Sequence, residues 1–135
     1  MLDDKLNADE RRALLLLLTI VALEDGHLSE SEVRFIQRLA TPIGVELGAL
    51  LVQVDDAELD TLVARLGRPL SRRIAVLELV RLAHVDGVYA KVERERVLDV
   101  ARRVDLSHEQ LEWMEDWAAR EWALWREAER RAEQG

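Results

Sequence analysis

The chain has 135 residues, of which 49% are hydrophobic and 34% are charged, with a formal net charge of −8 at pH 7. This length fits one domain with a sizeable core, and the acidic balance argues against a nucleic-acid-binding protein, because such proteins neutralise phosphates with basic residues. The chain has no cysteine, which excludes disulfides, thiolate metal sites and a cysteine nucleophile. Leu, Ala, Glu and Arg dominate the composition, so we expect a single all-α domain over residues 1–135.

The most apolar segment, residues 13–23, is too short to predict a membrane span. It covers 11 residues and is interrupted by Thr19, whereas a spanning helix needs about 20 apolar residues. The acidic start at Asp3 and Asp4 is unlike a signal peptide, whose first residues are basic. We therefore expect a cytoplasmic protein without direct membrane insertion, in which this segment forms a buried helix.

Capping residues and apolar spacing predict about seven helices. Asn7 with Glu10, and Ser29 with Glu32, match the capping-box pattern, in which a polar N-cap residue is followed three residues later by a glutamate. The predicted helices cover about residues 8–24, 30–42, 45–52, 55–66, 71–85, 91–104 and 107–132. No segment shows the period-2 alternation of a β-strand over enough residues to matter.

The fourth helix has its own start and stop signals. Asp55 and Asp56 are expected to open it, because acidic residues favour the first turn of a helix. Gly67 and Pro69 are expected to close it, in the order typical of a helix end.

An internal repeat is the most informative feature of the sequence. When the chain is shifted by 61 residues, both halves show an Ala, an Asp-Gly pair three residues later, and a Glu seven residues after the Asp. The matched pairs are Ala22 and Ala83, Asp25 and Asp86, Gly26 and Gly87, Leu28 and Tyr89, Glu32 and Glu93, Ile36 and Val97, and Ala40 and Ala101. We predict two pseudo-symmetric helix–loop–helix units, over about residues 8–43 and 70–104, whose apolar faces pack together before a long C-terminal helix.

At these residues the chain resembles the tellurite-resistance TerB-like domains, which are all-helical and duplicated, with an acidic Asp-Gly loop in each half. Residues 79–111 carry the closest resemblance, and residues 18–40 match nearly as well. The resemblance implies a single non-enzymatic TerB-like domain of a bacterial stress or tellurite-resistance system, which acts by metal-dependent or protein–protein contacts. The N-terminal domain of a membrane-anchored DnaJ-like co-chaperone is a related domain.

Asp25, Glu32, Asp86 and Glu93 are the candidate metal ligands. Each Asp-Gly with its later Glu matches the second half of an EF-hand loop, but the residues before each Asp supply no carboxylate at loop positions 1 and 3. Neither loop is therefore a calcium site by itself. A site for Ca²⁺, Mg²⁺ or Mn²⁺ requires that packing bring the four carboxylates together.

A purely structural role is the alternative for the same residues. Glu32 can complete a helix cap, and Gly26 and Gly87 can supply the left-handed residues that end helices. In the second half Ala90 stands where the first has the capping serine, yet Glu93 is retained, so capping does not account for both glutamates. A structural adaptor or oligomerisation module, a cation site and a partner-docking surface are the alternatives left open.

The last predicted helix carries all four tryptophans. On a helical projection its apolar residues fill about half of the circumference, which is wider than packing against one neighbour requires. We expect the part from Trp113 to Trp117 to pack on the body, and leave Trp122 and Trp125 open between packing and a partner surface. Protein partners or a second copy of the chain are expected, and no nucleophile or acid–base pair indicates an enzyme.

Overall fold

A computed structural model describes residues 2–87 and 89–134, and for Asp3 and Asp25 it describes the backbone but not the side chain. These residues form seven α-helices and contain no β-strand, as the sequence predicts. The helices are α1 (Ala8–Ala22), α2 (Glu30–Ala40), α3 (Leu47–Gln53), α4 (Leu59–Arg65), α5 (Pro69–Ala83), α6 (Lys91–Arg103) and α7 (His108–Gln134). Short 3-10 turns lie at Leu2–Lys5, Leu23–Asp25, Thr41–Ile43 and Val54–Asp56.

Capping boxes open α1 and α2, as predicted. The Asn7 side chain accepts a hydrogen bond from the Glu10 N–H at 2.8 Å, and the Glu10 carboxylate accepts one from the Asn7 N–H at 3.0 Å. Ser29 and Glu32 exchange the same two bonds at 3.1 and 2.9 Å. Both helices therefore start where a side chain satisfies amides that have no partner inside the helix.

Two predicted boundaries are wrong. Asp55 and Asp56 lie in a 3-10 turn, and α4 begins only at Leu59. Pro69 is the first residue of α5 rather than part of a helix stop. Proline suits this position because its fixed φ is already helical and its missing N–H would have had no partner there.

The backbone repeats with the 61-residue offset over more of the chain than the sequence pattern predicts. α1 and α5 both have 15 residues. The N-cap residues of α2 and α6 have nearly identical dihedral angles, with φ −72° and ψ 161° at Ser29 and φ −72° and ψ 158° at Ala90. α3 and α7 begin at equivalent residues, Leu47 and His108. The two units therefore match from the start of the first helix to the start of the third.

The two units differ in the third helix. In the first unit the chain turns at Val54–Asp56, and α4 packs on α1. In the second unit the equivalent segment continues as α7, a single helix of 27 residues. Trp122 is its last half-buried residue, and every described side chain after it is exposed. About three turns at the end of α7 therefore bury no side chain against the rest of the molecule.

One hydrophobic core runs through both units. α1 and α5 contact each other, and their buried residues belong to the same cluster, which includes Leu14, Leu17, Leu18, Val21, Ile74, Val76, Leu79 and Val80. The predicted packing of these two helices in a shared core is confirmed. α6 and α7 add residues that include Val97 and Leu111, both nearly inaccessible to solvent.

An ion pair joins the start of α1 to the start of α5. The carboxylate of Glu10 is buried, and Nε of Arg68 donates to it at 2.9 Å. The Arg68 guanidinium, helped by the Asn7 N–H, lowers the pKa of Glu10 from 4.5 to about 2. This carboxylate therefore stays ionised in the fold down to strongly acidic pH.

Among the described helices, none is both long and apolar enough to cross a membrane alone. One pair, Glu30–Ile43 with Leu47–Asp56, meets the length and hydropathy limits only when its two parts are joined across a bend of 103°.

Candidate functional site

The two Asp-Gly loops end α1 and α5 in the same way. Gly26 has φ +96° and Gly87 has φ +82°, the left-handed region that favours glycine. The Gly26 N–H donates to the carbonyl of Leu23 at 2.8 Å, and the Gly87 N–H donates to the carbonyl of His84 at 2.9 Å. The predicted role of both glycines at helix ends is confirmed.

A small cleft lies between the units, beside these loops. Glu32, Asp86, Glu93 and Arg96 border it, and we call it the acidic cleft. Its volume is about 60 Å³, which is room for a few water molecules. The structure thus brings three of the four predicted metal ligands to one place, one from the first unit and two from the second. The fourth, the side chain of Asp25, lies outside the described residues.

The carboxylates of the acidic cleft have contacts within the protein. Glu32 accepts the Ser29 N–H at 2.9 Å as part of the cap of α2. The hydroxyl of Ser29 donates to the carboxylate of Asp86, with oxygen–oxygen distances of 3.4 and 3.5 Å. Glu93 likewise interacts with another group of the protein. Ser29 therefore links the cap of one unit to the acidic loop of the other.

Arg96 brings positive charge into the acidic cleft. Its Nε pairs with the carboxylate of Glu24 at 2.7 Å, across the two units. In the described part of the chain, no three His, Asp or Glu side chains are placed so that they could hold a metal ion. Hard cations need several oxygen ligands, six or more for Ca²⁺. The described side chains of the acidic cleft therefore do not form a cation site by themselves.

A larger concavity lies where α7 passes α2. Its volume is about 910 Å³. We call it the α2–α7 groove and define it by six of its lining residues, Arg34, Phe35, Arg38, Gly87, Trp122 and Trp125. The two tryptophans could be identified as candidates from the sequence, but the three residues of α2 could not, because their proximity to α7 depends on how the helices pack.

Arg81 fixes the floor of the groove. Its Nη1 donates to both carboxylate oxygens of the buried Glu78 at 2.9 Å, and its Nε donates to Glu121 of α7 at 2.9 Å. The guanidinium carbon lies 5.7 Å from the centre of the Phe35 ring and 6.0 Å from that of Trp117, within the range of cation–π attraction. One side chain thus holds α2, α5 and α7 together.

The four tryptophans of α7 divide into two that pack and two that are exposed. Trp117 is half-buried, and the ring of Trp122 lies so close to Gly87 that a Cβ there would come within 2.7 Å of it. Trp113 and Trp125 are 58% and 63% exposed. The prediction that Trp113 packs on the body is wrong, because only one side of α7 contacts the body and Trp113 lies on the other.

Comparison of the chain with protein-family models, with curated proteins and with solved structures gives no significant match. The repeated loop residues, the acidic cleft and the α2–α7 groove are therefore the features from which a function is inferred.

Proposed function

We propose that the chain is a non-enzymatic domain that binds a protein partner in the α2–α7 groove. The observation that carries the proposal is Trp125. It lies seven residues after the buried Ala118, on the same side of α7, and borders the groove together with residues of α2, yet it is 63% exposed. Tryptophan is one of the residue types that are enriched among the anchors of protein interfaces.

The groove has the size and rigidity that binding requires. A volume of about 910 Å³ lies near the upper end of the range for ligand pockets, about 300–1,000 Å³. The bonds of Arg81 to Glu78 and Glu121 fix its floor before any partner arrives. A preorganised surface loses less conformational entropy on binding than a mobile one.

The repeated loops support placing this domain among the TerB-like domains of a bacterial stress or tellurite-resistance system. That support consists of the Asp-Gly pairs, the glutamates seven residues after each Asp, and the duplicated all-helical architecture. In such a system the domain would act through its contact with a protein partner in the α2–α7 groove. The rival function is a purely structural helical adaptor or oligomerisation module whose acidic loops only terminate helices.

Two tryptophan variants test the proposed function. Trp125→Ala removes the exposed anchor in the groove, and Trp113→Ala removes an equally exposed tryptophan from the other side of the same helix. We expect that a partner which cross-links to the wild type in cells no longer cross-links to Trp125→Ala but still cross-links to Trp113→Ala. Calorimetry with the purified partner should show the same difference in binding. Equal binding by both variants would rule out the groove.

A divalent-cation site in the acidic cleft is the second candidate. Three of its four predicted ligands, Glu32, Asp86 and Glu93, border one cleft between the units, but these three are not placed to hold a metal ion by themselves. If Asp25 completes the site, Ca²⁺, Mg²⁺ or Mn²⁺ at a hundredfold excess over Kd should stabilise the fold by about 2.7 kcal/mol. For a domain of this size this is a rise in Tm of several degrees.

Thermal unfolding with each cation tests this site. The rise in Tm should saturate, should disappear in Asp25→Asn and Asp86→Asn, and should persist in Asp56→Asn, which changes an exposed carboxylate outside the cleft. If no cation moves the wild-type transition and the two cleft variants simply melt earlier, the carboxylates are structural.

A further inference from the structure

The geometry of the α2–α7 groove points to a partner segment that is acidic and carries a large apolar side chain. This inference rests on the proposed function and adds the chemistry of the partner. Three observations carry it: unpaired positive charge on one wall, an exposed aromatic surface on the other, and groove carboxylates that already have partners.

The unpaired charge lies on α2. Arg34 and Arg38 are exposed, lie one turn apart on the same side of the helix, and form no ion pair with any residue in the described part of the chain. They stand out in a protein whose formal net charge is −8. Arginine is suited to a carboxylate partner because its planar guanidinium can donate two parallel hydrogen bonds to one carboxylate.

The acidic groups at the groove do not neutralise these two arginines. Glu121 accepts from Arg81 at 2.9 Å, and Glu129 pairs with Arg126 at 3.2 Å. Asp86 is exposed and forms no ion pair with Arg34 or Arg38. The α2 wall therefore presents positive charge that a partner can match.

The aromatic wall is partly fixed and partly open. The ring of Trp122 rests on Gly87, and the Arg126 guanidinium covers it at 5.7 Å from the ring centre. Trp125, three residues later, is 63% exposed. A partner segment that buries Trp125 must present apolar surface. If the same segment also reaches Arg34, it must carry carboxylates next to that apolar surface.

The outer side of α7 in a second copy of this chain matches the groove less well. It carries the exposed Leu124, and two of its acidic residues are already paired along the helix. Asp116 pairs with Arg120 at 3.2 Å, and Glu127 pairs with Arg131 at 3.2 Å. In a contact through this side of α7, the arginines of α2 would compete with these pairs for the same carboxylates.

The test selects random 12-residue peptides displayed on phage against the full chain, and measures synthetic copies by fluorescence anisotropy. We expect the selected peptides to have a net negative charge and at least one Trp, Phe or Leu. Arg34→Glu with Arg38→Glu should weaken their binding by about tenfold or more, and higher salt should weaken it severalfold. Both positions are exposed, so the fold should survive, which circular dichroism checks.

A matched control separates the groove from overall charge. Arg73→Glu with Arg102→Glu makes the same change in net charge at two exposed arginines outside the groove, and should leave peptide affinity within about twofold because distant exposed charges are screened. Peptides whose acidic residues are replaced by Lys should bind the charge-reversed α2 variant better than the wild type.

The remaining outcomes separate this inference from the proposed function. Peptides that need Trp125 but show no acidic preference would overturn the inference and leave the proposed function standing. A selection without any Trp125-dependent peptide would contradict both. Self-association that sedimentation detects and Trp125→Ala abolishes would make a second copy the occupant and overturn the acidic partner.

Discussion

At the scale of single residues, Gly26 and Gly87 have the same backbone conformation but different surroundings. A Cβ on Gly87 would come within 2.7 Å of Trp122, whereas a Cβ on Gly26 would meet nothing within 4 Å. We expect Gly26→Ala to cost about 1 kcal/mol, the usual penalty of a left-handed alanine. Gly87→Ala should cost about 1–3 kcal/mol more, because the Trp122 ring must move.

Urea unfolding and tryptophan emission check this pair. Only Gly87→Ala should shift the emission of the native state, since only that substitution displaces an indole ring. Equal losses of stability with unchanged emission would show that Trp122 does not rest on Gly87.

Glu10 and Arg68 give the fold a dependence on acidic pH. The pKa of Glu10 falls from 4.5 to about 2 on folding, so its ionised form stabilises the native state at any pH above about 4.5, and this contribution is lost as the pH falls from 4.5 towards 2. At neutral pH, Glu10→Gln should lower the free energy of unfolding by about 1–3 kcal/mol. The difference in the free energy of unfolding between the wild type and the variant, which we call the deficit, should shrink towards pH 3.

Denaturant unfolding of the wild type and variant at several pH values measures that deficit. Asp9→Asn is the matched control, because Asp9 pairs with Arg65 but is 65% exposed, and exposed pairs contribute only about 0–1 kcal/mol. A deficit of Glu10→Gln that stays constant from pH 7 to pH 3 would contradict the depressed pKa.

At the scale of elements, α7 has two parts with different roles. Leu111, Met114 and Ala118 are buried, whereas all described side chains after Trp122 are exposed. A chain that ends at Leu111 should expose apolar surface, and lose cooperative unfolding or aggregate. A chain that ends at Arg126 should keep its Tm within a few degrees.

Circular dichroism and light scattering of the two truncated chains check this division. A soluble, equally stable chain ending at Leu111 would show that the whole of α7 serves partners. A large loss of stability in the chain ending at Arg126 would show that the last turns of α7 have a structural role.

The sequence predicts the elements better than their packing. Local hydrogen bonds start α1 and α2, so Asn7 and Ser29 suffice to locate them. The start of α4 is set instead by its contact with α1, where Leu62 and Val63 are buried, although the equivalent Ala123 and Leu124 of α7 are exposed. Equivalent segments of the two units thus differ: the chain folds back in the first unit and continues as a straight helix in the second. No local sequence signal predicts this difference.

The candidate sites also combine residues that the sequence predicts with residues that it does not. The carboxylates of the acidic cleft were predicted because they repeat at the 61-residue offset. Arg96 was not predicted, because its equivalent in the first unit is Phe35 and it is therefore not part of the repeated pattern. Arg34 and Arg38 could be predicted to lie on one polar helix side, but their position opposite Trp125 depends on the path of α7.

At the scale of the whole molecule, the shared core should make the two units unfold together. All four tryptophans lie in α7 and report on the second unit, whereas circular dichroism reports on every helix. We expect both signals to give the same urea midpoint, which is the mark of a two-state transition. Leu17→Ala, a change in the buried face of α1, should lower both midpoints equally, by the equivalent of about 2–5 kcal/mol.

Parallel urea titrations followed by fluorescence and circular dichroism make this comparison. If Leu17→Ala moved the circular dichroism midpoint and left the tryptophan midpoint in place, the units would be independent folding bodies.

The repeated backbone also bears on why both units stand in one chain. A single unit would expose the apolar face that α1 and α5 bury against each other, so one unit alone would have to pair with a second to cover that face. Joining both units in one chain makes this pairing intramolecular, and one unit can then differ from the other without a matching change. The folded-back α4 and the straight α7 are such a difference: one unit uses this segment to close the core, and the other uses it as an exposed helix.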